Sequence, residues 1–258
     1  ALAIQAKLVG NTKSLQDLNK QAGFEKKPEA LVALFRKGCA GKVDTFAALC
    51  TGFDDEADRK DLGGLIGDAG LGDAPDAFGA LFATGCGGDV VSLKALGKSF
   101  SGDTNKGSRD GLKLMLTTGG LAAGKGVLPD GAVQPECLAE LLKLGSGPGL
   151  AGTSKAGEDK RKGDGLAKLC AGLDATACGN LAKAMKSGGL GTEPEVFGHL
   201  VGVGCVGDPA KLAGLSAELG KNAKNLTGLN TLLKQGGFGS TTAVGGATGI
   251  DKTCLGKL

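Results

Sequence analysis

Eight cysteines and one histidine are the residues of this chain with the widest chemistry open to them. The thiols stand at Cys39, Cys50, Cys86, Cys137, Cys170, Cys178, Cys205 and Cys254, and the imidazole at His199. Zinc sites need clustered Cys and His, commonly as C-x-x-C, and the chain has no C-x-x-C. His199 lies beside Phe197 and Leu200, which fits a structural histidine, and no Ser-His-Asp set is evident around it. Gly119 to Lys125 nearly matches the phosphate loop G-x-x-x-x-G-K-[ST]. Gly126 follows, so the hydroxyl that would hold magnesium is missing. The acidic groups Asp54-Asp55-Glu56 and Glu158-Asp159 sit next to Lys or Arg and read as solvated faces. Asp89 and Asp208 lack the calcium pattern D-x-[DN]-x-[DN]-G and read as helix caps. Asn225-Leu226-Thr227 is a formal glycosylation sequon inside an expected helix. The sequence therefore predicts no catalytic residue, no metal and no cofactor.

What must position the cysteines is a unit that recurs. Pro28-Glu29-Ala30-Leu31 leads to Gly38-Cys39, Pro75-Asp76-Ala77-Phe78 to Gly85-Cys86, Pro135-Glu136-Cys137-Leu138 to Gly145-Ser146, and Pro194-Glu195-Val196-Phe197 to Gly204-Cys205. The proline lies 11 residues before the Cys or Ser each time. A fixed internal period marks a supersecondary module stacked on its own copies. Each copy reads as three short helices. The first ends at a Gly-Leu or Gly-Phe stop: Gly23-Phe24, Gly70-Leu71, Gly120-Leu121, Gly189-Leu190 and Gly237-Phe238. The second starts at the proline, which suits a first helical position. Its apolar face is Leu31, Leu34 and Phe35, then Phe78, Leu81 and Phe82, then Leu138, Leu141 and Leu142, then Phe197, Leu200 and Val201. The third carries Phe46 and Leu49, Leu93 and Leu96, Leu166 and Leu169, Leu212 and Leu215. Two insertions, at 122–134 and 147–163, lengthen the third copy and are expected to be exposed loops.

On this frame Cys50 and Cys170 end third helices, while Cys86 and Cys205 end the following second helices. The two positions gain and lose Cys together: the intervening junction has Gly97 and Ser146. That pattern predicts disulfides Cys50–Cys86 and Cys170–Cys205, each closing a loop worth roughly 3–4 kcal/mol. Cys137–Cys178 is a further candidate pair, and Cys39 and Cys254 are candidates for links between molecules. Disulfides would place the protein in an oxidising compartment, extracellular or in a cell envelope. The chain begins Ala1-Leu2-Ala3 without Met, as one left by signal cleavage or by trimming would.

Apolar residues make up 41% of the 258 residues, which argues against disorder throughout. The net charge of +3 is dispersed, and the absence of Trp and Tyr removes the usual base-stacking platforms, so nucleic acid is not an expected partner. No run approaches the ~18 apolar residues of a membrane span. The fold class is all-α: one solenoid-like array of about four and a half three-helix repeats with Gly-rich turns. The copies lie near 14–58, 59–107, 108–176 and 177–221, with a partial copy at 222–258. A three-helix unit of ~40–47 residues resembles the armadillo and HEAT class of helical repeats. That resemblance implies a right-handed stack of helices binding partners along one groove. The expected function is that of a non-enzymatic structural or protein-interaction protein, with a protein partner or further copies of itself joined head to tail. The alternative is a module binding an acidic or small ligand through the two insertions, with Lys125, Lys155, Lys160, Arg161 and Lys162 supplying charge.

Overall fold

In the computed structural model, residues 12–121, 133–144 and 154–235 are described, and among them the regular elements are all helices. In chain order these are α1 (Thr12–Gln21), α2 (Pro28–Ala33), α3 (Val43–Gly52), α4 (Glu56–Ile66), α5 (Pro75–Ala80), α6 (Val90–Phe100) and α7 (Lys106–Thr117). They continue with α8 (Glu136–Leu144), α9 (Lys155–Ala171), α10 (Ala175–Lys186), α11 (Pro194–His199), α12 (Pro209–Gly220) and α13 (Ala223–Gln235). The partial last copy beyond Gln235, the Gly237-Phe238 stop, Ser146, Cys254 and Lys125 lie outside the described residues.

Local chemistry sets the helix ends. Asp55, Asp89, Asp174 and Asp208 precede α4, α6, α10 and α12, and each side chain accepts a hydrogen bond from a backbone N–H of the first turn. The first helices stop at Gly23, Gly70, Gly120 and Gly189, all left-handed with φ between 76° and 83°. The apolar residue that follows each, Phe24, Leu71, Leu121 and Leu190, is buried. Second helices α2, α5 and α11 start on their prolines, whereas α8 starts one residue after Pro135.

Sequence periodicity does not reveal how the second helices end. After six α-helical residues the hydrogen bonding widens by one residue. The N–H groups of Cys39, Cys86 and Cys205 donate to the carbonyls of Leu34, Leu81 and Leu200, at 2.8, 2.9 and 2.9 Å. Two left-handed residues then turn the chain into the third helix: Ala40-Gly41, Gly87-Gly88 and Val206-Gly207. Val206, at φ 57°, is a β-branched residue where glycine fits best.

Within each expected copy the first helix packs on the third: α1 on α3, α4 on α6, α7 on α9, α10 on α12. Second helices meet in chain order, α2 with α5, α5 with α8, α8 with α11. Small residues make these crossings close. A Cβ on Gly79 would lie 2.9 Å from the Ala33 carbonyl oxygen, and one on Gly198 2.9 Å from that of Glu140. Phe82 packs over Gly38 and Leu142 over Gly85. Ala139 fills the equivalent place in α8 and is fully buried. In α2 that place holds Val32, which is 48% exposed. Phe82, Leu142 and Val201 are buried along the line of second helices. Phe35 is only partly so, and meets Phe46 edge-on with ring centroids 5.3 Å apart.

Two stability predictions follow from these backbones. Gly79→Val drives a branched side chain into the α2 carbonyl and is expected to cost about 3 kcal/mol in chemical denaturation, as overpacking does. Val206→Gly relieves a left-handed strain of about 1–2 kcal/mol but loosens the unfolded chain by about 0.4–1 kcal/mol. It is expected to raise the midpoint of thermal unfolding slightly.

Candidate functional site

The cysteines do not form the expected bridges. Cys39, Cys50, Cys86, Cys137, Cys170, Cys178 and Cys205 are all free thiols, and all are buried. Cys50–Cys86, Cys170–Cys205 and Cys137–Cys178 are not joined. The sulfurs are used instead as compact packing groups. Cys170 Sγ lies 3.5 Å from Met115 Sδ, and Cys137 donates to the Gly191 carbonyl at 3.4 Å. Burial pushes the Cys39 thiol up to about 11, and Cys50 up to about 12 with Cys39 adding to the effect. Burial likewise raises Cys137 to about 12 and lifts Cys86, Cys170, Cys178 and Cys205. Thiols so protonated are poor nucleophiles. Cys39 is 2% exposed. The oxidising-compartment reading thus loses the observation it stood on. Among the described residues no group of three His, Cys, Asp or Glu side chains is placed to hold a metal ion. His199 is partly buried in α11.

A cleft lies elsewhere, between α6, α9 and the start of α7. Helices α6 and α9 run parallel. Near their starts Lys155 Nζ meets Asp89 Oδ2 at 2.9 Å, and further along Ser99 Oγ donates to Asp164 Oδ1 at 2.8 Å. They approach at Gly163, where a Cβ would come within 2.6 Å of Ser99 Oγ. Beside that seam opens a cavity of about 550 Å³, a size suited to a small molecule. Val91, Ala95, Ala156 and Ala167 give it apolar surface. Lys94, Lys98, Lys160 and Lys168 bring cations, and Ser99, Asn105, Ser108 and Asp164 complete the wall.

The four lysines are not equivalent. Lys94 pairs with Asp54 at 3.3 Å and Asp58 at 2.7 Å, and its ammonium lies 5.7 Å from the Phe53 ring centroid. Lys98 pairs with Asp58 at 3.0 Å. Asp58 is 6% exposed. Its burial favours the neutral acid, but hydrogen bonds from Lys94 and Lys98 outweigh that and hold its carboxyl below the usual range. Lys160 and Lys168 have no ion-pair partner among the described residues. They flank Asp164 one turn to either side on α9. Ser108 also lines the cleft; its residue is 6% exposed, and its hydroxyl, which makes no hydrogen bond among the described residues, is left accessible.

Of the described lysines and arginine named from sequence, only Lys160 lines the cleft. Lys155 is committed to Asp89, Lys162 to Glu158 at 2.5 Å, and Arg161 Nε donates to the Gly157 carbonyl at 3.3 Å. The expectation of a loop over 147–163 is corrected from Ser154 onward. Ser154 caps α9 through the Gly157 N–H, and the helix runs unbroken through Gly157, Gly163 and Gly165. Sequence reading missed Lys94, Lys98, Lys168 and Ser108. The signal was there as Ala156, Lys160, Asp164 and Lys168, one residue per helical turn on a single face.

Asp58→Asn leaves Lys98 facing a neutral amide and Lys94 with Asp54 alone, and is expected to cost about 2 kcal/mol near neutral pH. Because the folded carboxyl titrates below its unfolded value of about 3.9, the contribution is present above that value. It disappears as pH falls through the folded value. Urea titrations of both proteins from pH 7 down to pH 2 should show the two stabilities converging at the acid end.

No protein family, curated protein or solved structure matches this chain, so the geometry of the cleft and of the helices around it carries the functional reading.

Proposed function

We propose that the chain is a non-enzymatic binding protein: a solenoid-like array of three-helix repeats that holds a cleft for an acidic ligand. The array is supported by the recurring proline-to-cysteine unit and by equivalent helices that meet in chain order. The observation that carries the ligand reading is the pair Lys160 and Lys168, without carboxylate partners beside an apolar wall. An ammonium in water gains little from a distant counterion. At the edge of a low-dielectric surface the same charge attracts an anion more strongly. Head-to-tail joining of copies through the second helices is opposed by Val32, which stands where the internal crossings use Gly79, Ala139 and Gly198.

A fluorescence titration with 8-anilinonaphthalene-1-sulfonate, an anionic apolar dye, tests the reading. Saturable binding at one dye per chain is expected. It should weaken about tenfold, or about 1.4 kcal/mol, in K160E/K168E with unchanged circular dichroism, and should weaken with added salt. An unchanged affinity in that double variant would sink the proposal.

A further inference from the structure

We infer that the cleft takes one anionic amphiphile lengthwise, its head against Ser108 and Lys168 and its apolar tail between Ala95 and Ala156. This rests on the acidic-ligand reading above and names the class of ligand. The first support is that the cleft is graded. Val91 and Ala156 stand in the first turns of the parallel helices α6 and α9, so they mark one end. Lys168 stands in the last turn of α9, and Ser108 in the first turn of α7 just past the end of α6, so they mark the other. Ala156 and Lys168 are separated by about 18 Å along the helix axis. An inorganic anion would use one end of that length and leave the Val91–Ala156 surface in water.

The second support is Ser108. Its hydroxyl is accessible, makes no hydrogen bond among the described residues and lines the same cavity as Lys168, which has no ion pair among them. Together they offer an O–H donor and a cation to one headgroup, the pairing a carboxylate or phosphate monoester accepts. Asp164 is the one carboxylate on the wall. It already accepts from Ser99 and is outnumbered by Lys160 and Lys168, one turn to either side on α9. A cationic ligand would meet the two lysines without ion pairs, Lys160 and Lys168, against this single carboxylate. A neutral hydrocarbon would leave Ser108 and Lys168 unsatisfied.

Calorimetric titration with decanoate, decan-1-ol and acetate separates head from tail. Decanoate is expected to bind one per chain, at least tenfold tighter than either decan-1-ol or acetate. Ser108→Ala and Lys168→Glu should each weaken decanoate about tenfold and leave decan-1-ol unchanged. Ala156→Trp, at an exposed position, should block the tail and abolish decanoate binding without unfolding the chain. Acetate binding as tightly as decanoate would overturn the amphiphile and leave the acidic-ligand reading standing. Decan-1-ol binding as tightly as decanoate, or indifference to Lys168→Glu, would overturn the placement of the head. If the dye titration were then also insensitive to K160E/K168E, the acidic-ligand reading would fall with it.

Discussion

The structure depends on helix backbones coming closer than ordinary side chains permit. At Gly79 and Gly198 the neighbouring carbonyl lies where a Cβ would have to go, and at Gly111 the Cys170 carbonyl would be only 1.9 Å away. Such approaches remove side-chain volume from the interface and bring the flanking apolar residues, Phe82 over Gly38 and Leu142 over Gly85, into the space between helices. Glycine inside a helix costs up to about 1 kcal/mol relative to alanine, so a chain that places it inside helices, as at Gly79, Gly111 and Gly198, must recover that elsewhere. Here it does so through short crossings that no larger residue would allow.

The same economy of volume accounts for the cysteines. A thiol is one of the smallest side chains that is still hydrophobic. Cys50, Cys137, Cys170 and Cys178 are fully buried in the one continuous core. The thiols that feel one another are other pairs, Cys50 with Cys39 and Cys170 with Cys178. Recurrence of cysteine at two repeat positions does not by itself say which thiols meet in space.

Much of the architecture was legible because it rests on local rules. The aspartate caps, the prolines that open α2, α5 and α11, and the glycine stops at 23, 70, 120 and 189 are each decided within a few residues. What could not be read depends on partners distant in sequence. Gly163 looks like a breaker until α6 is placed against it. Gly163 then turns out to be the residue that lets α9 lie on Ser99 and Ala95. Lys94 and Lys98 look like two solvated charges until Asp58, from α4, is set between them. The widened turns at Cys39, Cys86 and Cys205 leave no periodic trace, since the shift in hydrogen bonding alters a single residue's phase.

The cleft arises where the repeat is broken. By the register of the buried pairs Leu93–Leu96 and Leu166–Leu169, Val90 at the start of α6 corresponds to Gly163. Residues 155–162 of α9 are therefore an extension that α6 lacks. α9 spans 17 residues against 10 to 12 for the other third helices. That extension carries Ala156 and Lys160 alongside α6 and is anchored by Lys155 on Asp89, the residue that also caps α6. A regular array would leave this flank of α6 open to water. The added turns convert a flat helix surface into a walled groove, and the charge they bring is not cancelled by the copy they lean on. The recurring part of the sequence thus supplies α6 and α7, and the added turns of α9 supply the wall of the cleft between them.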